Sequence, residues 1–162
     1  MSINHWIVKN LVCTLFLVVG GLNIYAQKDK YLIEAEAFQF KGKWSTDRSA
    51  DCMGSAMLRL NGGGSLDEQF DALTVVNIME EGDYNVWVRS ADYDKLPGTR
   101  LFRLSVDEKP MKESGKHGKV GFYWENAGCV QLAKKQVLLR LHDTKRNFGR
   151  CDACLLYTSD AA

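Results

Sequence analysis

The sequence has almost no net charge: 21 Lys and Arg stand against 20 Asp and Glu, a formal +1. Such a chain has no long-range field to draw in nucleic acid or an anionic membrane. The short basic pairs Lys134-Lys135 and Lys145-Arg146 read as solvated turns. Catalytic signatures are missing as well. There is no G-x-S-x-G, no H-E-x-x-H, and no G-x-G-x-x-G opening a helix. Beyond the N-terminal leader only His117 and His142 remain as histidines. His142-Asp143 is weighed as an acid/base pair, but a strand-end bond from His142 to a loop is the expected use. Glu80-Glu81 and Asp92/Asp94 would cleave a glycoside only at a fixed carboxylate separation, which spacing along the chain does not supply. Few windows hold helical periodicity, so helical crossovers between parallel strands are excluded.

What the sequence does hold begins with a leader. Residues 1–10 are polar with one Lys at position 9, residues 11–22 (LVCTLFLVVGGL) are apolar, and Ala26 offers a small residue at a cut position. This is the layout of a secretory signal peptide over 1–26, with the mature chain secreted or periplasmic. The apolar run falls short of the roughly 20 residues of a spanning helix. Cys13 stands at the start of that run, where a lipid-bearing Cys would follow it. At the other end, residues 154–162 (CLLYTSDAA) resemble the translation of a transposase adapter used in sequencing libraries. On that reading the module spans 27–153, its natural continuation is missing, and Cys154 drops out of the thiol count. Cys52, Cys129 and Cys151 are left, and their pairing is open. Small buried thiols are the expected state; the C-x-x-C of Cys151 and Cys154 alone carries no zinc or redox chemistry.

Between these ends the chain reads as short strands and turns. The strands are expected at 31–37 (YLIEAEA), 55–60, 72–79, 84–89 (YNVWVR), 101–106 (LFRLSV), 120–124, 129–132 and 136–142, with another starting at Asp152-Ala153. Asn61-Gly62-Gly63-Gly64 and Glu81-Gly82-Asp83 break them, and Asp107-Glu108-Lys109-Pro110 fits a hairpin loop. Period-two alternation gives each strand two faces. The sets Tyr84/Val86/Val88, Phe102/Leu104/Val106 and Val137/Leu139/Leu141 are assigned to a core between two sheets. The fold class is all-β: a two-sheet sandwich or jelly roll behind an N-terminal signal helix.

Several phrases in order carry a resemblance: Ile33-Glu34-Ala35-Glu36-Ala37-Phe38, Gly42-Lys43-Trp44, Met53-Gly54-Ser55, the segment Gly82-Asp83-Tyr84-Asn85-Val86-Trp87-Val88-Arg89, Leu141-His142-Asp143, and Gly149-Arg150-Cys151-Asp152-Ala153. Over residues 31–153 the chain resembles the galactose-binding-like jelly rolls, among them the family 6 carbohydrate-binding modules. More narrowly, it is similar to the accessory region of exported bacterial FAD-dependent oxidoreductase-like and polysaccharide-lyase-like proteins. The resemblance implies a noncatalytic module that binds a poly- or oligosaccharide, attached to a downstream catalytic domain. The other reading is a structural or docking domain without ligand. It also implies a structural calcium held by Glu34, Glu36 and Asp152, carboxylates suited to a cation that takes six to eight oxygens. The alternative for these carboxylates is solvent or pairing with Lys and Arg. Flat aromatic faces suit sugar rings, so Trp124, Tyr93 and Trp87 are the candidate platforms, with Asn126 and Arg89 as polar partners. Tyr93 and the segment 123–128 are taken as loop-borne, and Trp44 as core.

Overall fold

The computed structural model describes residues 30–145 and 147–158; the expected signal peptide lies outside them. Ten strands carry the described chain: β1 (Lys30–Glu34), β2 (Ser45–Arg48), β3 (Ala56–Arg59), β4 (Ala72–Asn77), β5 (Gly82–Ala91), β6 (Phe102–Val106), β7 (Lys109–Ser114), β8 (Phe122–Leu132), β9 (Gln136–Asp143) and β10 (Arg150–Thr158). All pairings are antiparallel. The larger sheet runs β2-β3-β10-β5-β8, with β1 also on β10; the smaller runs β4-β9-β6-β7. The expected two-sheet sandwich is the architecture found. Helical pieces among the described residues are three-residue 3-10 turns, and no helix there is long and apolar enough to cross a membrane.

The three alternating sets expected inside are inside. Tyr84, Val86, Val88, Phe102, Leu104, Val106, Val137, Leu139 and Leu141 have no exposed surface. They come from β5 in one sheet and β6 and β9 in the other, so the core is the seam between sheets. Trp44 joins it: its ring meets Phe102 edge-on at 5.5 Å, and its Nε1 donates to the Leu141 carbonyl at 3.1 Å. A buried indole N–H finds a partner in this way.

Two short strands escaped the sequence reading. β2 (STDR) and β7 (KPMKES) are polar strands whose apolar content is too low to show alternation. Pro110 is tolerated in β7 because that strand is a sheet edge. Asp107 and Glu108, both at positive φ (51° and 65°), form the two-residue hairpin turn, so Lys109 and Pro110 already belong to β7. The first strand is shorter than expected. β1 stops at Glu34, and Ala35–Ala37 turns as a 3-10 helix that buries Ala35.

Two bulges decide where side chains point. In β8 the register against β5 slips between Val86 and Trp87, which face Gly128 and Asn126. Val130 and Leu132 point into the core. Strict alternation would send Asn126 and Trp124 inward with them; the extra residue turns both outward. In β10 the slip lies between Cys151 and Ala153. It sets Asp152 into the bulge and turns Cys154 and Leu156 inward. The strand runs past the boundary expected at Ala153: residues 154–158 pair with β5, and 154–157 with β1 as well. Their C-L-L-Y-T alternation buries Cys154 and Leu156.

Leu139→Ala should lower the unfolding free energy by about 2–5 kcal/mol, the cost of a cavity in a packed core. Val75→Ala, on an exposed β4 position, should stay within about 0.5 kcal/mol. Urea unfolding of the two variants measures both.

Candidate functional site

Four of the five residues expected to bind ligand share one surface, the outer face of the larger sheet. Cross-strand partners point the same way, and the register sets Trp87 beside Asn126 and Leu155, and Arg89 beside Trp124 and Ala153. Leu155 in turn faces Leu32 of β1. The face therefore carries a row Leu32, Leu155, Trp87, Asn126, followed by Arg89 and Trp124. Trp124 is 36% exposed and Leu32 51%. Trp87 is half-buried, and its Nε1 has no hydrogen-bond partner. Segment 123–128, expected as a loop, is strand: Trp124 and Asn126 belong to β8, held by its ladder and turned outward by its bulge.

Arg89 does less on the surface than expected. Its Nη1 donates to the Asp152 carboxylate, and both Nη atoms reach the Asp51 carbonyl at 3.1–3.2 Å. The guanidinium also lies 5.4 Å above the Phe122 ring. Phe122 was missed, although it stands in phase with Trp124 and Asn126 along β8. Beside it a shallow groove of about 360 Å³ is lined by Asp51, Arg89, Val120, Gly121, Phe122 and Tyr123.

Tyr93 stands apart. It sits in the 92–101 loop with the Arg100 guanidinium 5.7 Å from its ring. That loop is anchored by a residue with no recognised role in the sequence. The buried Asp92 carboxylate accepts from the backbone N–H groups of Tyr93, Gly98 and Gly118, tying the 92–101 loop to the 115–121 loop. Glu125 acts in parallel, accepting from the Ser90 hydroxyl and from Gly115 N at 2.6 Å. Neither inter-loop tie has a local signature, since Gly118 is 26 residues from Asp92 and Ser90 is 35 from Glu125.

His142 does bond a loop. Its Nδ1 lies 2.9 Å from Asp71, just ahead of β4, and Arg140 shares that carboxylate. Burial pushes the Asp71 carboxyl up, while His142 and Arg140 pull it down. Asp143 alternates away and pairs with Lys43 at 2.7 Å, so the adjacent residues do not form an acid/base pair. Cys52, Cys129, Cys151 and Cys154 are all free thiols. Burial lifts Cys52 to about 11 and Cys151 well above the ordinary range.

The expected calcium ligands divide. Glu34 and Glu36 converge on Gly54, whose φ of 59° and missing side chain let them approach: a Cβ there would lie 2.7 Å from Glu36 Oε1 and 3.0 Å from Glu34 Oε1. Glu36 Oε2 is buried with no hydrogen-bond partner. Burial, then the charges of Glu34 and Asp152, raise the Glu36 carboxyl. Paired carboxylates with an orphaned oxygen fit a hard cation. Asp152 does not complete the set. Fully buried in its bulge, it is paired with Arg89 and accepts from Met53 N at 3.0 Å. Among the described residues no three His, Cys, Asp or Glu side chains are arranged to hold a metal ion.

Two antiparallel sheets closed over one apolar seam make a β-sandwich, a fold this chain shares with solved carbohydrate-binding modules. The particular likeness is to family 35. The chain shares its fold with a family 35 carbohydrate binding module from Clostridium thermocellum (16% identity, 80% of this chain and 98% of that one, TM-score 0.61) and with CBM35 from Paenibacillus barcinonensis (18%, 80% and 99%, 0.63). It is also similar to the Podospora anserina GH26-CBM35 β-(1,4)-mannanase (16%, TM-score 0.66), matched over 82% of this chain but spanning only 28% of that enzyme. The sequence phrases pointed to the galactose-binding-like jelly rolls, family 6 modules among them; the modules named above are of family 35. No protein-family model and no curated protein matches the chain.

A carboxyl raised by folding opposes stability once pH climbs past its unfolded value, here 4.5 for Glu36. Without added divalent cation, Glu36→Gln should raise the unfolding free energy at neutral pH and leave it unchanged well below pH 4.5. Urea titrations at both pH values read the difference.

Proposed function

We propose that this chain is a noncatalytic carbohydrate-binding module, exported through its leader and working as an appendage of a larger glycan-active or oxidoreductase-like protein. The observation that carries the reading is the convergence of Trp87, Trp124, Asn126 and Arg89 on one sheet face. Trp124 offers a partly open ring to the C–H side of a sugar, and Asn126 stands exposed to bond hydroxyls. Arg89 keeps Trp124's strand pair ordered through Asp152 and Phe122 and is a positioning residue. The sandwich of the matched family 35 modules supports the class, and the standalone modules match end to end. Exposed Leu32 on the same face also suits the second reading, a docking surface for a neighbouring domain.

In affinity gels containing soluble polysaccharides, Trp124→Ala should weaken retardation by about tenfold, the usual loss for a central aromatic contact. Its melting temperature should hold, because the side chain is partly exposed. Absence of retardation by every polysaccharide sinks the glycan reading in favour of docking.

Calcium belongs to the same proposal. Glu34 and Glu36 would supply carboxylate oxygens, and the ion would neutralise their mutual repulsion. Melting should then rise with added calcium and fall with EDTA, as for any ligand bound only by the native state. Glu36→Gln should erase the difference. An identical transition in both conditions removes the ion.

A further inference from the structure

An open sheet ends in edge strands whose unpaired N–H and C=O groups invite another strand. Most edges of this sandwich are guarded. β7 carries Lys109, Pro110 and Lys112. β2 is four polar residues, STDR. β8 is bent by its bulge. β4 is capped by Phe40, which exchanges backbone hydrogen bonds with Leu73 at 3.0 and 2.7 Å. β1 has no such guard. One side of it pairs with β10 in unbroken register, and no described strand pairs with the other. Beside β1 runs an open groove of about 600 Å³ towards β4, with Tyr31, Ile33, Thr74, Val75 and Val76 in its lining.

The β1 sequence K-Y-L-I-E is its own complement when read antiparallel. Lys30, Leu32 and Glu34 share the outer face, while Tyr31 and Ile33 pack against the core. A second β1, turned about a two-fold axis at Leu32, sets Lys30 opposite Glu34 of the second copy and Leu32 opposite its own counterpart. By symmetry the charge pair forms twice. Opposite charges and apolar side chains facing across a strand pair are both stabilising. Neither Lys30 nor Glu34 is in an ion pair among the described residues, and Leu32 is 51% exposed. The second copy's lysine also brings a cation to the mutually repelling Glu34 and Glu36.

We infer that β1 is a homodimer edge: two copies pair β1 to β1, antiparallel about Leu32, and their larger sheets become one. A two-fold contact of this kind closes on itself as a dimer and does not run on into a filament. One short ladder with two ion pairs and one leucine contact is smaller than the standard interface of about 1,600 Å², so the association is weak. The pairing does not rest on the glycan reading. In the joined sheet the row Leu32, Leu155, Trp87 continues into its copy. Across the strand order β5-β10-β1-β1-β10-β5 the two Trp87 side chains stand roughly 24 Å apart, at about 4.8 Å between strands. A polymer that spans both rows is held twice.

Sedimentation velocity of the full chain, from about 1 μM to 1 mM, covers the range of a weak dimer. EDTA in every sample keeps calcium at Glu34 and Glu36 from differing between variants. The parent should pass from monomer to dimer across the series. Lys30→Glu puts a carboxylate opposite Glu34 of the second copy and should weaken association at least about tenfold, because two attractive pairs become repulsive. Glu34→Lys should do the same. Combining Lys30→Glu with Glu34→Lys should restore the parent's dimer, since the exchanged charges meet again. Leu32→Cys gives a separate readout. Its thiols meet on the axis and should link two chains under oxidised glutathione, two reduced glutathiones being released for each disulfide formed. Lys30→Cys, away from the axis, should not link. A parent that stays monomeric leaves Leu32 to a neighbouring domain and overturns the inference. So does a dimer indifferent to Lys30→Glu, a charge exchange that fails to restore it, or equal linking by Lys30→Cys and Leu32→Cys.

Discussion

The buried carboxylate of Asp152 is the hinge of this sandwich. It sits in the bulge of β10, a strand bonded to β5 on one edge and to β1 and β3 in succession on the other. Its oxygens take the Arg89 guanidinium from β5 and the Met53 N–H from the turn ahead of β3. Arg89 then reaches the Asp51 carbonyl and covers Phe122 at the start of β8. One fully buried charge thus joins four parts of the larger sheet. Removing either member of such a pair would strand the other in a low-dielectric interior, at a cost of about 3–5 kcal/mol. The pair is retained for the geometry it imposes, since an apolar pair would not hold a turn amide and a neighbouring strand at once.

Around that hinge the protein uses carboxylates as organisers. Asp92 gathers three backbone amides and Glu125 two, at the end of the molecule where the long loops meet. Asp71 gathers His142 and Arg140 from the smaller sheet. Near-zero net charge is therefore the sum of many local commitments. Against that pattern the pair Glu34/Glu36 stands out: two like charges set close together at the edge of the larger sheet, with Glu36 Oε2 buried and unbonded.

The fold was legible because burial here obeys period two with few exceptions. Val86, Phe102 and Leu139 could be placed in the core from alternation alone. The strands that alternation missed, β2 and β7, are edge strands with little to bury. The candidate face was half legible. Trp87 and Arg89 follow from β5 read as a strand, but Trp124 and Asn126 were assigned to a loop because residues 123–128 hold no apolar rhythm. Their outward direction comes from a bulge, which a single sequence marks only by Gly128. Arg89's pairing with Asp152 joins residues 63 apart, and nothing local announces it. Tyr93 was chosen as an exposed loop aromatic, which it is, yet whether it shares a surface with Trp124 depends on how Asp92 folds its loop.

The two bulges carry a consequence for how the gene can change. A substitution in β8 or β10 alters one side chain, whereas loss of one codon near Gly128 or Asp152 would shift phase for everything on one side of it. Trp124 and Asn126 would exchange places with their neighbours, burying indole and amide while pushing core residues into water. Variation among descendants of this sequence should therefore run freely through residue identities on the open face, yet leave the lengths of these two strands untouched.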